Sequence, residues 1–175
     1  MSLEEAAAGA NPKYVPRGDV AYRKNCARVV QNFELRRRGF LVEATEAQAG
    51  VGSDSSQIDF FYKYRTWKQT DGSLSSANLI VKKSVKAYDK VSSWIVKNNP
   101  EGARGFLENS WSAKSGHVIN WEIKDGKVTF IDAQVNEVYG PDAAHWKLGS
   151  EWTSFRVDHL RPTDDILQYI KGAGK

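Results

Sequence analysis

The 175-residue chain contains a single cysteine, Cys26, and a single methionine. One thiol closes no internal disulfide, so the fold does not depend on an oxidising compartment. Long apolar runs are missing too: none approaches the roughly 18–20 residues that a membrane span needs. Residues 1–10 are acidic and alanine-rich, without the basic start and apolar stretch of a secretory signal. The location is left open; export requires another route or delivery as part of a larger protein. The chain has no G-x-S-x-G elbow, no P-loop and no dinucleotide-binding glycine pattern, which removes support for a serine hydrolase or a nucleotide enzyme. Its three histidines and lone cysteine show no zinc spacing, so no metal and no cofactor are expected.

What is present is enough for one folded domain. Hydrophobic residues make up 41% and aromatics 11% of the chain. A domain near this length buries roughly two-thirds of its unfolded surface. The net charge of +4 is mild and spread along the chain, compatible with acidic partners without demanding them. Residues 1–20 read as a flexible lead-in of Gly, Pro, Ala and charge, and residues 21–175 as a single domain.

The best-marked element follows Asn25. Cys26, Val29, Val30 and Phe33 share one helical face, with Asn25 as N-cap and Gly39 just past the basic end Arg36, Arg37, Arg38. Residues 40–44 read as a short strand, 47–56 as a mobile loop, 59–67 as more strand than helix, and Asp71-Gly72 as a turn. Residues 84–98 have helical spacing. Strands are expected over 104–111, 117–123, 128–131 and 152–158, with a short closing helix over 164–170. Lys124-Asp125-Gly126-Lys127 is a two-residue hairpin signal. The pattern predicts an α+β domain, with a helix first and an antiparallel sheet after it.

Cys26 falls in the first turn of that helix, where N–H groups without intrahelical partners and the helix dipole favour negative charge, the condition for a reactive thiolate. Packing with Val29, Val30 and Phe33 is the better-supported account of the residue when it is taken alone. The hairpin supplies a second observation. With Asp125-Gly126 as the turn, Lys124 pairs with Lys127, Ile119 faces Asp132 and His117 faces Gln134. His117 and Asp132 are then diagonal neighbours on one face of the sheet. A cysteine at a helix start, with histidine and aspartate on paired strands, is the set that thiol-dependent amide cleavage uses. Cys26 is the nucleophile, His117 the base and later the acid, and Asp132 the group that orients the imidazole. Asn25 and Gln134 are candidate oxyanion or substrate-binding groups, beside the backbone N–H of Cys26.

These segments also resemble a known family. Asn25-Cys26 followed by Phe33-Glu34-Leu35-Arg36-Arg37-Arg38-Gly39-Phe40 is similar to the start of the papain-fold toxin domains of bacterial polymorphic toxins. Related domains occur in proteins of phages and integrative elements. Gly116-His117-Val118-Ile119-Asn120, Asp125-Gly126 and Phe130-Ile131-Asp132-Ala133-Gln134 resemble that family's histidine and aspartate strands. Arg156-Val157-Asp158-His159-Leu160 with Asp165-Ile166 resembles its closing segment. Many members carry a second cysteine where this chain has Val29 and Val30, and a proline where it has Ala133. The resemblance implies a papain-like fold with a nucleophile helix packed on an antiparallel sheet, and catalytic roles for Cys26, His117 and Asp132. It further implies a protein substrate, deamidation of glutamine as the reaction most often associated with such domains, peptide cleavage as its neighbour, and a cognate inhibitor (immunity) protein.

A non-enzymatic basic binding module, as a phage or element structural part or a nucleic-acid binder, is the competing class. Its support is Arg36–Arg38 and the aromatics Phe60, Phe61, Tyr62, Tyr64 and Trp67 interleaved with Lys63 and Arg65. Basic residues in a last helical turn more often complement the dipole and sit in water, and such aromatics more often form a buried strand, so nucleic acid is the lesser expectation. Trp111, Trp121 and Trp146 are read as cleft or core, with equal support for each.

Overall fold

The computed structural model describes residues 1–47, 63–72, 78–82, 88–112, 115–140 and 151–172. Its first element starts at Ser2. The Ser2 hydroxyl accepts from the Glu5 N–H at 3.1 Å, and the Glu5 carboxylate accepts from the Ser2 N–H at 2.7 Å. This reciprocal capping opens α1 (Leu3–Ala10). Ala6, Ala7 and Ala10 are fully buried in one cluster with Val29 and Phe33 of the next long helix. Where the sequence reading expects a flexible lead-in, the structure therefore has a docked helix. Three alanines make a stripe too narrow to register as an amphipathic face, yet their small side chains let two helices approach closely.

A short α2 (Val20–Arg23), capped by Asp19, leads into α3 (Cys26–Arg37). Every residue of α3 from Cys26 to Arg36 is buried. The helix ends as Gly39 predicts: Gly39 takes φ +95°, its N–H bonds the Arg36 carbonyl at 2.9 Å, and the Phe40 N–H reaches back to Leu35 at 3.1 Å. That pair of bonds satisfies the last carbonyls of the helix, and the backbone they need is one glycine adopts without strain.

The chain continues through β1 (Val42–Ala44), α4 (Lys63–Thr66), β2 (Trp67–Lys68), β3 (Asn78–Lys82), α5 (Tyr88–Asn98), β4 (Arg104–Ser112), β5 (Ser115–Lys124), β6 (Lys127–Asp132), β7 (Glu137–Tyr139), β8 (Glu151–Arg156) and β9 (Arg161–Pro162). A 3-10 helix (Asp164–Tyr169) and β10 (Ile170–Gly172) close it. Six strands form one antiparallel sheet in the order β3-β8-β4-β5-β6-β7, and β1 pairs with β10 and β2 with β9 in two small ladders. The arrangement is α+β with antiparallel sheets, as the sequence pattern predicts.

The sheet is covered on both sides. Val91 and Ile95 of α5 pack with Leu107, Ile119, Trp121, Ile123, Val128, Phe130 and Trp152. Ala27, Val30 and Leu35 of α3 pack with Phe106, Val118 and Phe155. The β5–β6 hairpin turns through Asp125 (φ +53°) and Gly126 (φ +69°), and Lys124 pairs with Lys127 in the expected register.

Two expectations need amendment. Over residues 59–67 the described part begins with a helical turn, α4, before the strand at Trp67; residues 59–62 lie outside the described residues, as do 48–56 of the expected loop and 84–87 of the expected helix. Arg36–Arg38 do not sit in water. Arg36 donates to the Val42 carbonyl at 2.9 Å. Arg37 forks onto Glu122 at 2.7 and 3.1 Å. Arg38 bonds Glu34 at 2.8 Å and lies 4.7 Å over the Trp67 ring. The three cations fasten α3 to the rest of the domain, so their charge is used inside the fold.

Candidate active site

Cys26 opens α3 and is 6% exposed. Asn25 precedes it in the N-cap position, but its side chain makes no capping bond, contrary to the sequence reading. The Asn25 carbonyl instead accepts from the Arg28 and Val29 N–H groups at 2.9 and 3.0 Å, while its amide turns away from the helix. The thiol thus stands at the positive end of a helix whose first turn carries no side-chain cap from Asn25. Backbone N–H groups in such a turn favour negative charge and can donate to an anionic oxygen held beside the sulfur.

His117 and Asp132 meet as the hairpin register requires. The recorded pairing of β5 and β6 ends at Asn120 opposite Ile131; continued, it sets Ile119 against Asp132 and His117 against Gln134. Where the ladder ends, His117 Nε2 and Asp132 Oδ2 join the strands at 2.7 Å. The Gln134 N–H donates to the other carboxylate oxygen at 3.1 Å, so the carboxylate cannot rotate away without losing a bond. Asp132 is 6% exposed.

The Cys26 side chain also acts on the imidazole, favouring a proton on the ring. Since Nε2 is taken by Asp132, Nδ1 is the nitrogen left to face sulfur. Burial works against a proton on this ring, but the charge and hydrogen bond of Asp132, then those of Cys26, outweigh it and push the His117 pKa up to about 10. The ring is an imidazolium across neutral pH, held between an aspartate and a thiol.

A titration follows from this. Taken by itself, a histidine pKa raised from 6.5 to about 10 stabilises the fold fully below 6.5, and that contribution is lost as pH rises through about 10. The His117 ring signals in an NMR titration are expected to stay in the protonated form through neutral pH and to move near pH 10. In Asp132→Asn, burial is opposed mainly by Cys26 alone, and the transition is expected to fall by several units. A wild-type midpoint near 6.5 contradicts the geometry.

Asn25 and Gln134 both lie beside Cys26 and Asp132, hydrogen-bonded to one another. Asn25 is fully buried, and both its amide hydrogens are used, on Asn11 Oδ1 at 3.0 Å and the Thr45 carbonyl at 3.2 Å. It has none left for a substrate oxygen. Gln134 Nε2 gives one hydrogen to Asn25 Oδ1 at 3.1 Å. Two participants were not read from the sequence. Asn11, at the end of α1, bonds across this group, and its signal was an asparagine directly after a helical alanine stripe. Tyr139 on β7 is held in its phenol form by burial, by its bond to Glu137 and by the charge of Asp132. Only the strand register places it there.

Elsewhere the structure separates residues that the sequence leaves together. Trp121 is fully buried and donates to the Phe106 carbonyl at 3.2 Å, so it belongs to the core. Trp67 is likewise fully buried. His159 is exposed, and burial, then Arg156, hold its pKa below 6.5. The side chain of Trp111 and residues His145, Trp146 and 60–62 lie outside the described residues. Among the described residues no three His, Cys, Asp or Glu side chains gather as a metal site, and no helix is long and apolar enough to cross a membrane. In comparisons with known proteins, no family model, no curated protein and no solved structure matches the chain.

Proposed function

We propose that this protein is a papain-like thiol enzyme that hydrolyses amides, acting as a toxin or effector domain that deamidates glutamine side chains of a target protein. The observation that carries the reading is the His117–Asp132 pair at 2.7 Å with Cys26, at a helix start, acting on the same imidazole. Structural packing explains each residue alone but gives no reason for an imidazolium to be held against the only thiol of the chain.

The chemistry runs as follows. The Cys26 sulfur attacks the side-chain carbonyl carbon as a thiolate with protonated His117 beside it, and the C–S bond forms as the carbonyl oxygen takes up negative charge. Backbone N–H groups at the start of α3 receive that charge. The C–N bond then breaks, and His117 gives its proton to the departing ammonia. Neutral His117 next takes a proton from water, hydroxide adds to the thioester, and the sulfur leaves to restore the thiolate–imidazolium pair. Asp132 keeps Nε2–H occupied throughout, so the same nitrogen always faces sulfur. A peptidase would run the same steps with a peptide amine as leaving group, the choice lying in what the cleft admits.

The test is mass spectrometry of a glutamine-containing protein mixture incubated with wild type or Cys26→Ala. A Cys26-dependent gain of about one mass unit at glutamine is the expected result. New peptide termini would make the enzyme a peptidase with the same triad. No Cys26-dependent change across mixtures that include lysates of candidate target cells would remove the enzymatic reading. A cognate inhibitor protein is part of the same proposal: expression of wild type is expected to slow growth of the producing cell relative to Cys26→Ala.

A further inference from the structure

The buried amides beside the triad have a use that the reaction itself does not assign. Asn11 Nδ2 donates to the Tyr22 carbonyl at 2.9 Å and the Gln134 carbonyl at 3.1 Å, with Asn25 Oδ1 a further 3.4 Å away, and Asn11 Oδ1 accepts from Asn25 at 3.0 Å. Asn25 Oδ1 accepts from Gln134 Nε2 at 3.1 Å. The backbone carbonyls of Tyr22, Thr45 and Gln134 can only accept, so the orientation of the two asparagine amides is fixed by the network. All three side chains are at least 94% buried.

The connectivity is what matters. Asn25 is the residue before the nucleophile. Gln134 is two residues after Asp132, and its N–H holds the Asp132 carboxylate. Asn11 bridges both. The helix carrying the thiol and the strand end carrying the histidine's partner are separated by about a hundred residues of sequence, and this amide group joins them directly beside the triad.

We propose that Asn11, Asn25 and Gln134 form a positioning clamp that holds Cys26 in register with His117 and Asp132, so that the segment ahead of the nucleophile helix is part of the working site. The proposal rests on the triad reading above and adds to it residues that touch no substrate. Misplacement of a reacting group by about 1 Å costs up to about 10²-fold in rate. A clamp of two strong hydrogen bonds to main-chain carbonyls, with its acceptor also occupied, limits such drift.

The test uses iodoacetamide as the probe and the second-order alkylation rate of Cys26 in the full chain as the readout, followed across pH. Wild type is compared with His117→Ala, Asn11→Ala and Ala10→Gly. Asn11→Ala is expected to lower the rate about 10-fold or more near pH 6, where an unassisted thiol is protonated. Above about pH 10, where any accessible thiol is ionised, its rate should rejoin the wild-type value. Ala10→Gly loosens the docking of α1 without touching the amides and should keep the wild-type profile even where it lowers the melting temperature. If Asn11→Ala does not fold, Gln134→Met, which removes only the side-chain bond to Asn25, is expected to show the same low-pH loss.

The failures are distinguishable. A wild-type profile unchanged by His117→Ala removes the triad reading and the clamp with it. A His117-dependent profile that Asn11→Ala, or Gln134→Met in its place, leaves unchanged overturns the clamp and leaves the triad standing. A loss in Ala10→Gly equal to that in Asn11→Ala assigns the effect to helix docking and also overturns it.

Discussion

Replacing Cys26 with alanine is expected to lower amide turnover by about 10⁴-fold or more, and the double variant Cys26→Ala/His117→Ala to be no worse than either single one. In the proposed reaction sulfur is the atom that bonds to the substrate, so without it the covalent route does not exist. In that reaction His117 would act only on the proton that passes between sulfur, leaving group and water, and without the thiol it would have nothing to exchange. Their effects therefore should not add. Asp132→Asn is a different case: the ring stays in place, but the charge that holds its proton is gone, and the loss should be about 10²–10⁴-fold. Single-turnover rates on the substrate found by mass spectrometry decide the matter. Additive losses for Cys26 and His117 would mean that the two side chains work independently, and their interaction would then be structural.

The site was legible because its parts are anchored by strong local signals. Asp125-Gly126 fixes the hairpin turn, the turn fixes the register, and the register alone sets His117 diagonally across from Asp132. Gly39 fixes the end of α3 and so, by counting back along the periodic face, its start at Cys26. None of this requires knowing what covers the sheet.

What was missed depends on partners far away in sequence. Asn25 looks like an N-cap because asparagine before a helix usually caps it. Here Asn11 and the Thr45 carbonyl, brought in by α1 and the chain around β1, offer its amide buried partners instead. Ala6, Ala7 and Ala10 carry no hydrophobic signal of the usual size, so the helix that delivers Asn11 reads as loose chain until Phe33 and Val29 are set against it. The basic run Arg36–Arg38 was read from helix-dipole statistics, which say nothing of Glu34 and Glu122 waiting inside the fold.

Glu34 gives the largest expected effect on stability: Glu34→Ala should cost about 3–5 kcal/mol. Its carboxylate is fully buried and receives Arg38 Nε at 2.8 Å and Arg104 Nε and Nη2 at 2.9 Å each. The bond to Glu34 is also the leading reason that the Arg104 guanidinium holds its proton more tightly than usual. Arg38 has other acceptors, at the carbonyls of Leu160 and Val157. Arg104 has no second carboxylate at such distance among the described residues, and removal of Glu34 leaves its charge with only the more distant Glu122 and Asp158. Desolvation of that charge is then poorly compensated, which is why breaking a buried pair costs more than the pair contributes. Glu34→Gln keeps one acceptor oxygen and should fall between. Glu34→Leu combined with Arg104→Met removes both charges and should recover most of the loss. Urea unfolding midpoints at constant slope read the three variants and wild type on one scale. A loss below about 1 kcal/mol in Glu34→Ala would show that water reaches Arg104 when its partner is gone. A loss in the expected range identifies the Glu-Leu-Arg-Arg-Arg run as a brace that ties α3 to β4 and to the segment after β8.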